Sequence, residues 1–298
     1  MTSRNTSRRD FLFVACASIS WGTTGIANQT IYAHSVTNGL SLAFLRLAIA
    51  TPLFMLASWR FVGRSFWQIK YRDLGVMLLM GALQALSQAS YSAAIPYAGV
   101  TISTLIAICV APVIIACSSV FITQERLTPI TFIALISALS GTILLVMARS
   151  HPGVGSVSAL GVLLAFLSAC GYAGFILCGR LLISSYHPLC ISTVAFTTGA
   201  LLLLCLASST RLVITYSIWE WPILLYLGCV PTALAYGLFQ VGIRSLSATV
   251  TSIVTLCEPL TAALLAWILF GEELNLYGLL GASLLLGAMA VLLFSSKK

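Results

Sequence analysis

Charge is the scarcest feature of this sequence: 7% of its 298 residues are Asp, Glu, Lys or Arg. A soluble domain carries about 25%, so a water-solvated globule is excluded. The only lysines are Lys70, Lys297 and Lys298, and none follows the glycine-rich run of a phosphate-cradling P-loop, which excludes ATP as direct fuel. The histidines, His34, His151 and His187, are too dispersed for a metal site. The nine cysteines (16, 109, 117, 170, 178, 190, 205, 229 and 257) form no C-x-x-C pair and read as small apolar packing residues. No metal and no cofactor is expected. Chemistry in the membrane calls for paired acids, a metal set or a nucleophile with a base, and none is in sight, so the chain is not expected to be an enzyme. A channel is disfavoured by the lack of a filter-like loop or charged ring.

What is present is apolar. Hydrophobic residues make up 59% of the chain and its mean hydropathy is +1.04. The pattern predicts an all-α integral membrane protein with ten transmembrane helices, near 11–32, 38–58, 73–95, 98–121, 129–148, 157–179, 189–208, 221–243, 246–270 and 275–295. The basic residues of the intervening islands are Arg4, Arg8, Arg9, Arg60, Arg64, Lys70, Arg72, Arg126, Arg180, Arg244, Lys297 and Lys298, and all fall on one side of such a topology. Arg149 and Arg211 fall on the other. The positive-inside rule then places both termini in the cytoplasm and the protein in the cytoplasmic (inner) membrane. The net charge of +8 is therefore a topogenic signal, and no nucleic-acid partner is expected. The 60–72 loop could touch anionic lipid headgroups. The first span is too long before any small-residue cleavage site to read as a signal peptide.

A shift of 147 residues aligns the two halves. Gly81 meets Gly228, Thr104 meets Thr251, Pro112 meets Pro259, Glu125 meets Glu272 and Leu127 meets Leu274. The shared Pro-x12-Glu-x-Leu frame sets this apart from chance matching of apolar helices. Residues 1–150 and 151–298 are read as the two repeats. Five spans per repeat is an odd number, so the halves should sit inverted, a recurring architecture of secondary transporters.

The stretch YSAAIPYAGVTISTLIAICVAPVIIACSSVFITQERLT resembles the EamA-type repeat of the drug/metabolite transporter (DMT) superfamily. So does LSATVTSIVTLCEPLTAALLAWILFGEELNLYGLLGASLLLGAMAVLL, where Glu258–Pro259 and Gly271–Glu272 stand in the family's signature frame. Ser20–Trp21–Gly22 matches the family's usual opening, and Arg46 matches an arginine common in its second span. Gly171–Tyr172 departs from the tryptophan often found in span six, so the halves are not equivalent there. The resemblance implies a carrier of small organic solutes such as amino acids, amines or drugs, often working outward. Uptake or exchange is the alternative.

Polar groups at membrane depth are costly, so their helical faces mark the solute path. Span three carries Gln84, Ser87, Gln88 and Tyr91 on one face, and span one carries Ser20, Thr24 and Asn28. Span eight aligns Thr232, Tyr236 and Gln240, and span nine Thr251, Thr255 and Glu258. Thr104 and Tyr172 add to these, and Trp21, Tyr91, Tyr172 and Tyr236 supply aromatic faces for a ring or an ammonium. Two charges lie near the midplane. Glu258 is a candidate proton-coupling site or ammonium anchor, or else a structural carboxyl beside the Pro259 kink. Arg46 is its candidate charge partner, or else each meets carbonyls, hydroxyls or solute. Pro112 and Pro259 are candidate hinges. Small residues in span five (Ser137, Gly141) and span ten (Gly278, Gly281, Ser283, Gly287) should allow close helix approach, within the chain rather than between copies. The expected partners are a small-molecule solute and lipid, with the protein a monomer or weak homodimer.

Overall fold

The computed structural model describes residues 2–122, 128–148, 158–270 and 276–295. Gly271, the repeat-end residues Glu125, Glu272 and Glu273, and the basic residues Arg126, Arg149, Lys297 and Lys298 lie outside these, as does His151. Among the described residues the fold is all helical, as a bilayer requires: backbone polar groups there must be satisfied within the segment.

The helices are α1 (Thr2–Gly22), α2 (Thr24–His34), α3 (Gly39–Phe61), α4 (Tyr71–Ile122), α5 (Pro129–Ala148), α6 (Ala159–Leu182) and α7 (Pro188–Ser209). Then come α8 (Trp221–Leu227), a π-helical turn over Gly228–Leu234, α9 (Ala235–Gly242), α10 (Ala248–Val254), α11 (Cys257–Phe270) and α12 (Leu276–Ser295). Their starts follow local chemistry. Asn38 caps α3 by accepting from the Ser41 N–H at 2.8 Å, and Ser247 caps α10 by accepting from the Val250 N–H at 3.1 Å. Pro188 opens α7, where its missing donor costs nothing.

Nine stretches among the described residues are long and apolar enough to cross a membrane. The expected spans three and four run on as the single stretch Tyr71–Phe121. No loop parts them. The whole helix, 52 residues and about 78 Å of rise, turns at Gly99, whose φ of 73° and ψ of 164° few other residues adopt. Pro96 precedes the turn, and the Tyr97 carbonyl is taken up by the Ser158 N–H at 3.0 Å, just ahead of α6.

Glycine lets these helices approach closely. A Cβ on Gly171 would stand 2.8 Å from the Leu83 carbonyl, which brings α6 against the first half of α4. One on Gly81 would stand 2.4 Å from the Ala195 carbonyl of α7. Its repeat counterpart Gly228 abuts Ile49 of α3, so the α4–α7 contact recurs between span eight and α3. Helices α5 and α12 meet antiparallel through Gly141 and Gly281, and the Ser137 hydroxyl donates to the Leu284 carbonyl at 3.1 Å. Ser137 and Leu284 are themselves 147 residues apart, so this contact joins equivalent points of the two halves. Gly287 has nothing close.

Hydrogen bonds define two ends of the bundle. At the end carrying Arg60, Lys70, Arg72, Arg180 and Arg244, here the basic face, the Tyr186 hydroxyl donates to Asp73 at 2.6 Å. Arg180 donates to the carbonyls of Ile243 and Arg244 at 2.6 and 2.9 Å. At the opposite face the 210–220 loop is tied to the α2–α3 corner. Ser35 donates to Glu220, Thr37 pairs with Tyr216 at 2.6 Å, and Asn38 donates to the Arg211 carbonyl at 2.7 Å. His34 ends α2 at that corner.

Candidate functional site: a charged and aromatic cavity between broken helices

Three spans are interrupted at mid-depth. Span one breaks at Thr23 between α1 and α2, and span nine breaks at Thr255–Leu256 between α10 and α11. The two breaks meet: a Cβ on Gly22 would lie 2.7 Å from the Glu258 carbonyl and 2.6 Å from Thr261 Cβ. Span eight loosens into the π-helical turn around Pro231. Proline removes the donor that would bond the Leu227 carbonyl, and the Thr232 hydroxyl donates to that carbonyl instead, at 2.7 Å. The same hydroxyl accepts from Arg46 Nε at 3.3 Å, and the Pro231 carbonyl accepts from Trp21 Nε1 at 2.8 Å. Proline was not among the residues singled out in span eight, yet this one sets the Arg46 and Trp21 side chains.

Beside the breaks lies a cavity of about 270 Å³. It brings together Trp21, Thr24, Asn28, Arg46, Ser87, Gln88, Tyr91, Thr104, Pro112, Tyr172, Tyr236, Thr255 and Glu258, thirteen of the nineteen residues singled out from sequence for the solute path and its hinges. Ser20, Gln84, Thr232, Gln240, Thr251 and Pro259 are not in its lining. Pro259 follows Glu258 in the first turn of α11, while Gln240 is fully buried on the basic-face side with neither amide atom partnered. The lining that sequence reasoning missed includes Tyr32, Gly39 and Ser92. Tyr32 continues the Thr24–Asn28 stripe by one more i+4 step, and Ser92 continues from Gln88, so both were legible in periodicity. Gly25 and Tyr32 are exposed, and the cavity reaches from there and from Ser92 and Ile95, near the opposite face, down to Glu258. No lining residue belongs to the basic end.

Arg46 and Glu258 line this one cavity without touching; among the described residues no ion pair within 4.0 Å joins them. Arg46 is held by Thr232 instead, which leaves both charges facing the same space. The aromatic wall is closely packed. Tyr236 sits 4.7 Å from the Trp21 ring and 4.8 Å from Phe196, and its hydroxyl accepts from Gln84 at 3.0 Å. Tyr91 pairs with Thr104 at 2.7 Å across the α4 turn, and Ser87 with Ser168 at 3.3 Å. Thr24 and Asn28 line the cavity, and their Oγ1 and Oδ1 atoms are buried with no partner among the described residues. Unpaired polar atoms in low dielectric favour any solute that can bond them. Among the described residues no cluster of three His, Cys, Asp or Glu could hold a metal.

A membrane-embedded helical bundle built around a cavity of mixed polarity is the architecture of a multi-pass membrane transporter. The chain belongs to the EamA-like transporter family of the DMT superfamily, whose model matches residues 9–147 and again 159–294. It is 29% identical over 300 residues to "Uncharacterized transporter YwfM" of Bacillus subtilis, covering 96% of this chain and 94% of that protein. It is 25% identical to "Uncharacterized inner membrane transporter YicL" of Salmonella typhimurium, covering 98% and 97%. A crystal structure 20% identical in sequence superposes with a TM-score of 0.82 over 97% of this chain and 99% of that one. That likeness concerns the fold alone.

Proposed function

We propose that the protein is a secondary carrier that moves small organic metabolites, above all amino acids and amines, out across the cytoplasmic membrane by alternating access. The observation that carries this reading is a cavity with Arg46 and Glu258 at separate points, aromatic rings between them, and access from one face only. A carboxylate solute group suits the guanidinium, an ammonium suits Glu258, and an apolar or aromatic side chain suits Trp21, Tyr172 and Tyr236. A volume of about 270 Å³ is near the small end of ligand cavities and favours solutes of amino-acid size. One fixed cation is too few for nucleotide sugars or sugar phosphates.

The topology supporting this has ten spans, with α4 crossing twice about Gly99, since about 78 Å of helix greatly exceeds a hydrocarbon core of about 30 Å. Residues 1–150 and 151–298 then form two inverted five-helix halves with both termini cytoplasmic. The antiparallel meeting of Ser137 with its own counterpart Leu284 is the contact that a two-fold axis in the membrane plane requires. The protein works as a monomer or a weak homodimer. Pro112, in the cavity wall, and Pro259, behind the span-nine break, serve as hinges.

The test is transport in proteoliposomes of labelled amino acids and amines, wild type against Glu258→Gln, with and without an imposed proton gradient. Saturable movement in the wild type, with loss of gradient-driven accumulation alone in the mutant, makes Glu258 the coupling site. Non-saturating flux of every solute would defeat the carrier reading.

A further inference from the structure

Beneath the cavity, the interior holds a buried amide, Gln240, with no hydrogen-bond partner among the described residues. Tyr236 lines the cavity, and Gln84 lies behind it, donating to its hydroxyl. One helical turn toward the basic face, Met80 lies four residues before Gln84 on α4, and Gln240 lies four residues after Tyr236 on α9. Both flank Gly179 of α6: a Cβ there would lie 3.2 Å from Met80 Cε and 3.3 Å from Gln240 Oε1. Gln240 is 0% exposed, and among the described residues neither its Oε1 nor its Nε2 has a partner; Gln84 Oε1 has none either. A primary amide has two donor hydrogens and a carbonyl acceptor, and a permanently sealed apolar interior gives it nothing in return. An apolar residue of similar volume would be more stable there.

Beyond this layer the basic face is shut by Tyr186 on Asp73 and by Arg180 on the Ile243 and Arg244 carbonyls. We propose that Gln240, with Gln84, lines the half of the solute path that opens to the basic face, and that this half is closed here. It would meet water and passing solute only after those contacts part. The glycine at position 179 leaves room for the amide to swing, and the flexible thioether of Met80 can withdraw. This rests on the alternating-access reading above. In that reading the outer cavity and the Gln240 layer are never open together.

The test uses the full-length protein with its free cysteines replaced, carrying either Gln240→Cys or, in the outer cavity, Gln88→Cys. A membrane-impermeant maleimide is applied separately to each side of reconstituted vesicles. Gln240→Cys should react from the basic-face side only, and a disulfide between Asp73→Cys and Tyr186→Cys should abolish that reaction. Gln88→Cys should react from both sides, because the cavity is presented to each in turn. Gln240→Cys inert from both sides while Gln88→Cys reacts from both overturns this inference and leaves the carrier standing. Gln88→Cys reactive from one side alone overturns alternating access, and this inference with it. Met80→Cys reports the same layer should Gln240→Cys not fold. Independently, Gln240→Leu in the otherwise unaltered chain should raise the Tm; a fall would mean that the amide holds a partner, and would overturn the proposal.

Discussion

Replacing Gly22 by alanine tests whether the meeting of two helix breaks holds Glu258 in place. The new methyl would sit 2.7 Å from the Glu258 carbonyl and 2.6 Å from Thr261 Cβ, against 3.4 Å for ordinary contact. The obstructing atoms are backbone and a β-branched side chain at its root, so neither can rotate away. Span one and span nine must therefore part by about 0.7 Å, the shortfall from 2.7 to 3.4 Å. Overpacking of this kind costs about 1–3 kcal/mol. Displacements near 1 Å at a binding centre can lower turnover by about 100-fold. The assay is a pair of measurements: the Tm of the purified protein in detergent, and initial rates of counterflow of the transported solute. Transport should fall more steeply than stability, because Glu258 moves with the break while the α5–α12 and α3–α7 contacts stay intact. A Gly22→Ala protein with wild-type Tm and wild-type rate would refute the close approach, and with it the reasoning that links the breaks to the site.

Thr232→Val keeps the shape but leaves the Leu227 carbonyl and Arg46 Nε without their shared hydroxyl; stability should fall by about 1–3 kcal/mol, and urea or thermal titration of the purified protein checks it. Gly141→Val drives a branched side chain into the Gly281 carbonyl at 2.7 Å from its Cβ; α5 and α12 should separate and the yield of folded protein drop, whereas Gly287→Ala, with open space around it, should fold normally. Glu220 at the opposite face has its carboxyl pKa held below the ordinary value, first by the Ser35 hydroxyl and then by the Ser217 N–H. A depressed folded value means its contribution is complete above the unfolded value and disappears as pH falls through the folded one. Protease nicking of the 210–220 loop should therefore be flat from neutral pH down to about pH 5 and rise only in stronger acid, below the usual carboxylate range. Glu220→Gln should remove that pH dependence.

Much of this protein could be read directly from its sequence, because a bilayer imposes local rules. Length and hydropathy determined the helices, since every backbone polar group in lipid must be satisfied within its own segment. The polar stripes of spans one and three supplied Thr24, Asn28, Ser87, Gln88 and Tyr91 of the cavity wall, because 3.6-residue periodicity is a local property. The 147-residue shift pairs Gly81 with Gly228, and each makes a close helix contact. Tertiary structure decided the rest. Thr232, Tyr236 and Gln240 look like one stripe, but four residues advance a helix by about 400°, so each step rotates the face by about 40°. With the π-helical turn added, only Tyr236 of the three reaches the cavity. Arg46 and Glu258 could have been an ion pair as far as sequence shows. Whether two charges on different helices touch depends on helix crossing and on which hydroxyl lies nearer, and here Thr232, freed to act by a proline beside it, claims the guanidinium first.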